Sequence, residues 1–217
     1  PDHPDTAGTY NNMAIVYESQ GKYEQALEYY GKALAIRLKV LGPDHPDTAD
    51  MYNNIAVVYN NQGKHALPLL PMAIKDPAVQ VRQTAVNVLN AFDRNSKESF
   101  EVFTIGLKDR DVSVRMQAAY NAGNYGAKAW DPLTDAMKSA KEAGVRQAIL
   151  QGMLGSNFRA KSGVAPLSEC LKDDNPTVRQ WTCLVLGNIG PDAADALPRL
   201  RELAKSDSNQ GVQNQAR

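Results

Sequence analysis

The sequence predicts an all-α fold, an α-solenoid: a right-handed superhelical stack of antiparallel helix pairs with about thirteen helices. Three observations predict it. Residues 1–22, PDHPDTAGTYNNMAIVYESQGK, match residues 43–64, PDHPDTADMYNNIAVVYNNQGK, at 16 of 22 positions with an offset of 42 and no gap. Beyond them a shorter period takes over: Val81-Arg82, Val114-Arg115, Val145-Arg146 and Val178-Arg179 recur, with Val212-Gln213 in phase, at spacings of 33, 31, 33 and 34. Apolar residues fall at helical intervals and no strand pattern competes. Repetition at such periods marks units that bury a core only against their neighbours.

The elements follow in order. A helix is expected over 5–20, where Tyr10, Met13, Ala14 and Tyr17 share one face; Gly21-Lys22 turns the chain, and Ala26, Tyr30 and Ala33 mark a second helix over 23–40. The third, 47–62, repeats the first. Each PDHP loop reads as a helix start capped by Asp5 or Thr6 and by Asp47 or Thr48. Further helices are expected over 66–75, 79–93, 97–108, 112–126, 129–140, 143–155, 163–172, 177–189, 193–205 and 209–216. Pro68, Pro132, Pro166 and Pro198 stand 13 to 15 residues ahead of the arginine positions, where a first helical turn tolerates a missing N–H.

Six residues before those positions stand Asp76, Asp109, Asp173 and Asp207, with Ala140 the exception. An aspartate ahead of a helix can cap its free N–H groups, and an arginine further in can reach a neighbouring unit's aspartate or carbonyls. The expectation is a structural ladder of Asp76, Arg82, Asp109, Arg115, Arg146, Asp173, Arg179 and Asp207. At Ala140 it predicts a weaker capping contact. Gly144, Gly152 and Gly155, which follow, lower helix propensity by up to about 1 kcal/mol each.

The succession of aromatic and small residues in residues 1–64 resembles the tetratricopeptide repeat of the kinesin-light-chain type: one full unit and the first helix of a second. Residues 65–217, with phrases such as LKDRDVSVRMQAA and LKDDNPTVRQWTC, resemble about four and a half short HEAT repeats. The first resemblance implies a concave groove in which an asparagine binds a peptide backbone. The matching positions are Asn12 and Asn54, with Asn11 and Asn53 beside them. The second repeat breaks off within YNNQGKHALPLLP, residues 59–71, so that the helix over about 48–62 is expected to serve both arrays. Tyr52, Ile55, Ala56 and Tyr59 would face the first array, and Val57 and Val58 the second.

Composition narrows the function. Twenty-four basic and 24 acidic residues cancel, and five against eight before the break leave about −3 there and +3 after it, without the basic footprint of a nucleic-acid binder. No apolar run suits a membrane span, and PDHPDTAG is no signal leader. Cys170 and Cys183 sit in apolar patterns as buried thiols. His3 and His45 lie too far apart, one repeat on, to share a metal, and no nucleophile–base set, phosphate loop or repeated His-Glu pair of the HEAT-type iron hydroxylases occurs. Trp130, Phe158 and Trp181 read as core or interface.

The expectation is therefore a non-catalytic rigid scaffold with no cofactor and no metal. A chain opening at a repeat boundary and changing repeat type in mid-unit reads as an engineered chimera; the alternative is a fragment of a natural protein–protein interaction scaffold. A peptide or protein on the concave surface is the expected partner, with no nucleic acid and no membrane. A cytoplasmic-type monomer is expected, with weak end-to-end association through the first helix at Tyr10 and Ile15.

Overall fold

Proline opens the first and third helices, because its ring holds φ near the helical value and its missing N–H would have no intrahelical acceptor there. The computed structural model, which describes residues 3–42, 45–61, 70–76, 79–91 and 96–217, places α1 over Pro4–Ser19 and α3 over Pro46–Asn61. The capping group is not the expected aspartate or threonine. His3 Nδ1 accepts from the Asp5 N–H and His45 Nδ1 from the Asp47 N–H, each at 3.2 Å. Starting each helix at the proline puts the imidazole in the capping position.

The remaining helices are α2 (Tyr23–Val40), α4 (Leu70–Ala73), α5 (Val79–Asn87), α6 (Lys97–Gly106), α7 (Val112–Tyr120), α8 (Trp130–Ser139), α9 (Ala143–Gly155), α10 (Val164–Cys170), α11 (Pro176–Ile189), α12 (Leu197–Ser206) and α13 (Gln210–Gln215). Eleven of the helices are seven residues or longer, α4 and α13 being short, and no strand forms among the described residues. The expected helix over 66–75 is described only from Leu70. Residues 62–69, which hold Pro68 and the join between repeat types, lie outside the described residues.

The chain divides into two compact units, Pro1–Ser99 and Phe100–Arg217. In the first, α1 and α2 pack along fully buried Ala7, Ala14, Ala26 and Ala33. Alanine lets the backbones approach, and tyrosines fill the flanks: Tyr17 stacks on Tyr29 at 5.3 Å between ring centroids, and Tyr10 lies 5.9 Å from Tyr29. The Tyr30 hydroxyl donates to Glu18 Oε2 at 2.9 Å. Gly21 makes the turn between the helices at φ +70°, a left-handed conformation that glycine adopts without a Cβ penalty. Next, α3 packs against both α2 and α5. Its Met51, Ile55 and Val58 are buried, whereas Val57, expected to face the second array, is 47% exposed. With Ile55 and Val58 turned inward, Val57 falls on the solvent side of the helix.

In the second unit α7, α9, α11 and α13 pack in succession, and α8, α10 and α12 pack against α9, α11 and α13. This is the two-layer stacking of an α-solenoid. Ile149, Leu150, Met153, Phe158, Leu167 and Leu186 fill the space between layers. The glycines of α9 correct the propensity reading. A Cβ on Gly152 would lie 2.2 Å from the Ala119 carbonyl oxygen, and one on Gly123 would lie 3.2 Å from that of Gly155. These glycines let α9 approach α7 and the 3-10 turn Asn121–Asn124, which ends α7 short of the expected residue 126.

Candidate functional site

Asn12 is exposed and lines an open depression of about 580 Å³ with Thr9, Met13, Val16, Tyr17 and Gln20. These residues come from one face of α1 and the turn after it, where Val16 is 52% exposed. Asn54 does not join it there. Its Nδ2 donates to Asn11 Oδ1 at 3.1 Å, tying the two equivalent helices α1 and α3 together. The side chain of Asn53 lies outside the described residues. The three described asparagines thus divide between an accessible amide, Asn12, on a partly apolar surface and a half-buried inter-repeat bond, Asn11–Asn54.

The arginines repeat one geometry. Arg82, Arg115, Arg146 and Arg179 each donate Nη1 to the carbonyl six residues back, on Asp76, Asp109, Ala140 and Asp173, at 3.0, 2.8, 3.2 and 2.7 Å. Gln213 Nε2 does the same to Asp207 O at 2.7 Å. In Arg115, Arg146 and Arg179 the other side of the guanidinium reaches forward by one repeat. Arg179 grips Asp207 with Nε at 2.8 Å and Nη2 at 2.7 Å, and Arg146 Nε donates to Asp173 Oδ2 at 2.5 Å. The aspartates also hold their own turns: Asp109, Asp173 and Asp207 accept the N–H groups of Asp111, Asn175 and Asn209 at 2.8 to 2.9 Å.

Burial makes these contacts consequential. The Asp207 side chain is 3% exposed and that of Arg179 11%. The hydrogen bond from Arg179, with help from the Asn209 N–H, holds the Asp207 carboxyl below the usual carboxylate range. Burial acts the other way on the thiols, pushing Cys170 and Cys183 up to about 11.

Sequence reasoning missed the capping residues four before Arg115, Arg179 and Gln213. Asp111 accepts from Ser113 and Val114, Asn175 from Thr177, and Asn209 from Val212, so these are the helix N-caps and the ladder aspartates stand two residues ahead. Their recurrence as Asp111, Glu142, Asn175 and Asn209 was a legible signal. Glu142 differs. It makes no side-chain cap bond to α9, and its Oε1 takes Arg115 Nη2 at 2.8 Å where the neighbouring rungs use an aspartate.

Among the described residues no group of three or more His, Cys, Asp or Glu side chains could hold a metal, and no helix is long and apolar enough to cross a membrane. Phe158 is fully buried, and Trp130 donates Nε1 to the Ser156 carbonyl at 3.3 Å.

Paired helices laced rung to rung define a helical repeat protein. Family comparison places residues 66–154 and 152–217 under the model for HEAT repeats, and the chain belongs to that family. Residues 5–67 match the tetratricopeptide repeat model. No curated protein matches the chain. Both repeat families are generally non-enzymatic scaffolds for protein interaction.

Proposed function

We propose that the chain is a non-catalytic rigid scaffold, a designed fusion of kinesin-light-chain-type tetratricopeptide and HEAT repeats whose role is to hold two arrays in fixed geometry. The observation that carries this reading is the placement of α3. By sequence it is the first helix of a second tetratricopeptide unit, yet it packs against α5 as well as α2. A helix packed against both neighbours would couple the two arrays. The two family matches meet at residues 66–67, next to that helix. The Asp–Arg ladder is then architectural, stiffening the second array, and the protein acts as a monomer.

Rigidity is the testable consequence. Spin labels on Ser19→Cys and Lys205→Cys, both at exposed positions, should give one narrow distance distribution, because the native thiols are buried and poorly ionised. A broad distribution would overturn the scaffold reading.

A second reading, a fragment of a natural peptide-binding scaffold, has its support in the exposed Asn12 amide beside Val16 and Tyr17. A peptide titration distinguishes it. Asn12→Ala should weaken binding about tenfold if that amide holds the peptide backbone, and unchanged affinity would remove the assignment.

A further inference from the structure

The ladder contains one rung without its aspartate. Ala140 ends α8 with an extended backbone, φ −71° and ψ 111°, as Asp207 ends α12 at φ −62° and ψ 140°. Both hand their carbonyl to a side chain six residues on, Arg146 and Gln213. The Cβ at 140 therefore leaves the chain much as that of Asp207 does. In the neighbouring rungs the aspartate fills the site, with side chains of Asp173 and Asp207 only 7% and 3% exposed. A methyl group cannot, and a cavity of about 300 Å³ opens, lined by Lys108, Arg115, Ala136, Ala140, Lys141 and Glu142 among others.

Arg115 is held ready for a carboxylate. Its Nη1 donates to the carbonyls of Asp109 and Arg110, as Arg179 Nη1 does to those of Asp173 and Asp174, so the guanidinium has the orientation of the filled rung. Arg179 then places both Nε and Nη2 on one carboxylate. Arg115 places only Nη2, on Glu142, whose side chain is 45% exposed and comes in from solvent. Among the described residues Arg115 Nε has no acceptor. Lys108, Arg115 and Lys141 outnumber Asp109 and Glu142 around the cavity, and the start of α9, uncapped by a side chain, adds its N–H dipoles.

We infer that this cavity is a carboxylate-binding pocket, taking a small free carboxylate where the neighbouring rungs hold an aspartate side chain. Glu142 is its internal competitor, satisfying half of the arginine and repelling an incoming anion. Removing Glu142 should therefore tighten binding, whereas supplying the missing aspartate should close the pocket.

The test is an amide NMR titration of the full chain with sodium succinate, ionic strength held constant with sodium chloride. Saturable shifts are expected in residues 108–115 and 140–146, with a Kd of about 1 mM or tighter. Glu142→Ala should tighten binding severalfold, and Ala140→Asp should weaken it by at least about tenfold while leaving the protein folded. Shifts no different from those with chloride alone, or an Ala140→Asp variant that binds as the parent does, would overturn the inference.

Discussion

In residues 3–61 the helices meet through alanine and tyrosine; in residues 100–217 they meet through Asp–Arg rungs laid over an aliphatic core. The first region buries Ala7, Ala14, Ala26 and Ala33 completely and closes its flanks with Tyr10, Tyr17 and Tyr29. Among the described residues its cross-repeat side-chain bonds are the neutral pair Asn11–Asn54 and a bond from Arg37 Nη1 to the Asp47 backbone carbonyl, neither of them an ion pair. The second region ties each repeat to the next by a guanidinium, with Asp173 and Asp207 almost wholly buried. The comparison teaches that helix-pair stacking does not fix its own adhesive. Small residues select close backbone contact and little directionality, while buried ion pairs fix register between units at a desolvation cost.

Perturbing the two regions should separate these mechanisms. The largest effect is expected from Gly152→Val, since even a Cβ would lie 2.2 Å from the Ala119 carbonyl oxygen. A loss above about 4 kcal/mol in urea unfolding would mark the α7–α9 crossing as the tightest contact of the second unit. Asp207→Ala should follow, at about 3 kcal/mol, because it strands the buried Arg179 guanidinium. In the first unit Tyr30→Phe, which removes the hydroxyl bonded to Glu18, should cost about 1 kcal/mol. Glu142→Ala should leave the melting temperature unchanged within error, its carboxylate being largely exposed.

Acidification sharpens the contrast. The Asp207 carboxyl is held below its unfolded value by Arg179, so its contribution is complete above the ordinary carboxylate range and is lost as pH falls through the lowered value. The stability difference between the parent and Asp207→Asn should therefore shrink from pH 7 to pH 3. A constant difference would show that the pair is not what stabilises that rung.

The helix pattern was largely legible because Tyr10 and Tyr17 recur as Tyr52 and Tyr59, Ala26 and Ala33 fall at helical spacing, and the Val-Arg pairs recur with a period that stacked helices satisfy. The aspartate and arginine positions were legible for the same reason. What escaped was local. The imidazole caps of His3 and His45 depend on a proline fixing the helix start one residue before the expected aspartate. The need for Gly152 lies in a crossing with Ala119, a contact between repeats that no propensity scale encodes. The separation of Asn12 from Asn54 follows from which face of α1 each neighbour covers, and adjacent asparagines hide that. The Glu142 contact arises only because Ala140 breaks the pattern.

Native-state hydrogen exchange across α2, α3 and α5 tests most directly whether one helix joins the two arrays. Ala33→Gly in α2 should cost about 1 kcal/mol. With α3 shared, protection of the amides in α3 and in α5 should fall together by that amount. Protection of α5 that stays unchanged while α2 and α3 lose theirs would contradict the shared helix and leave two arrays that unfold independently.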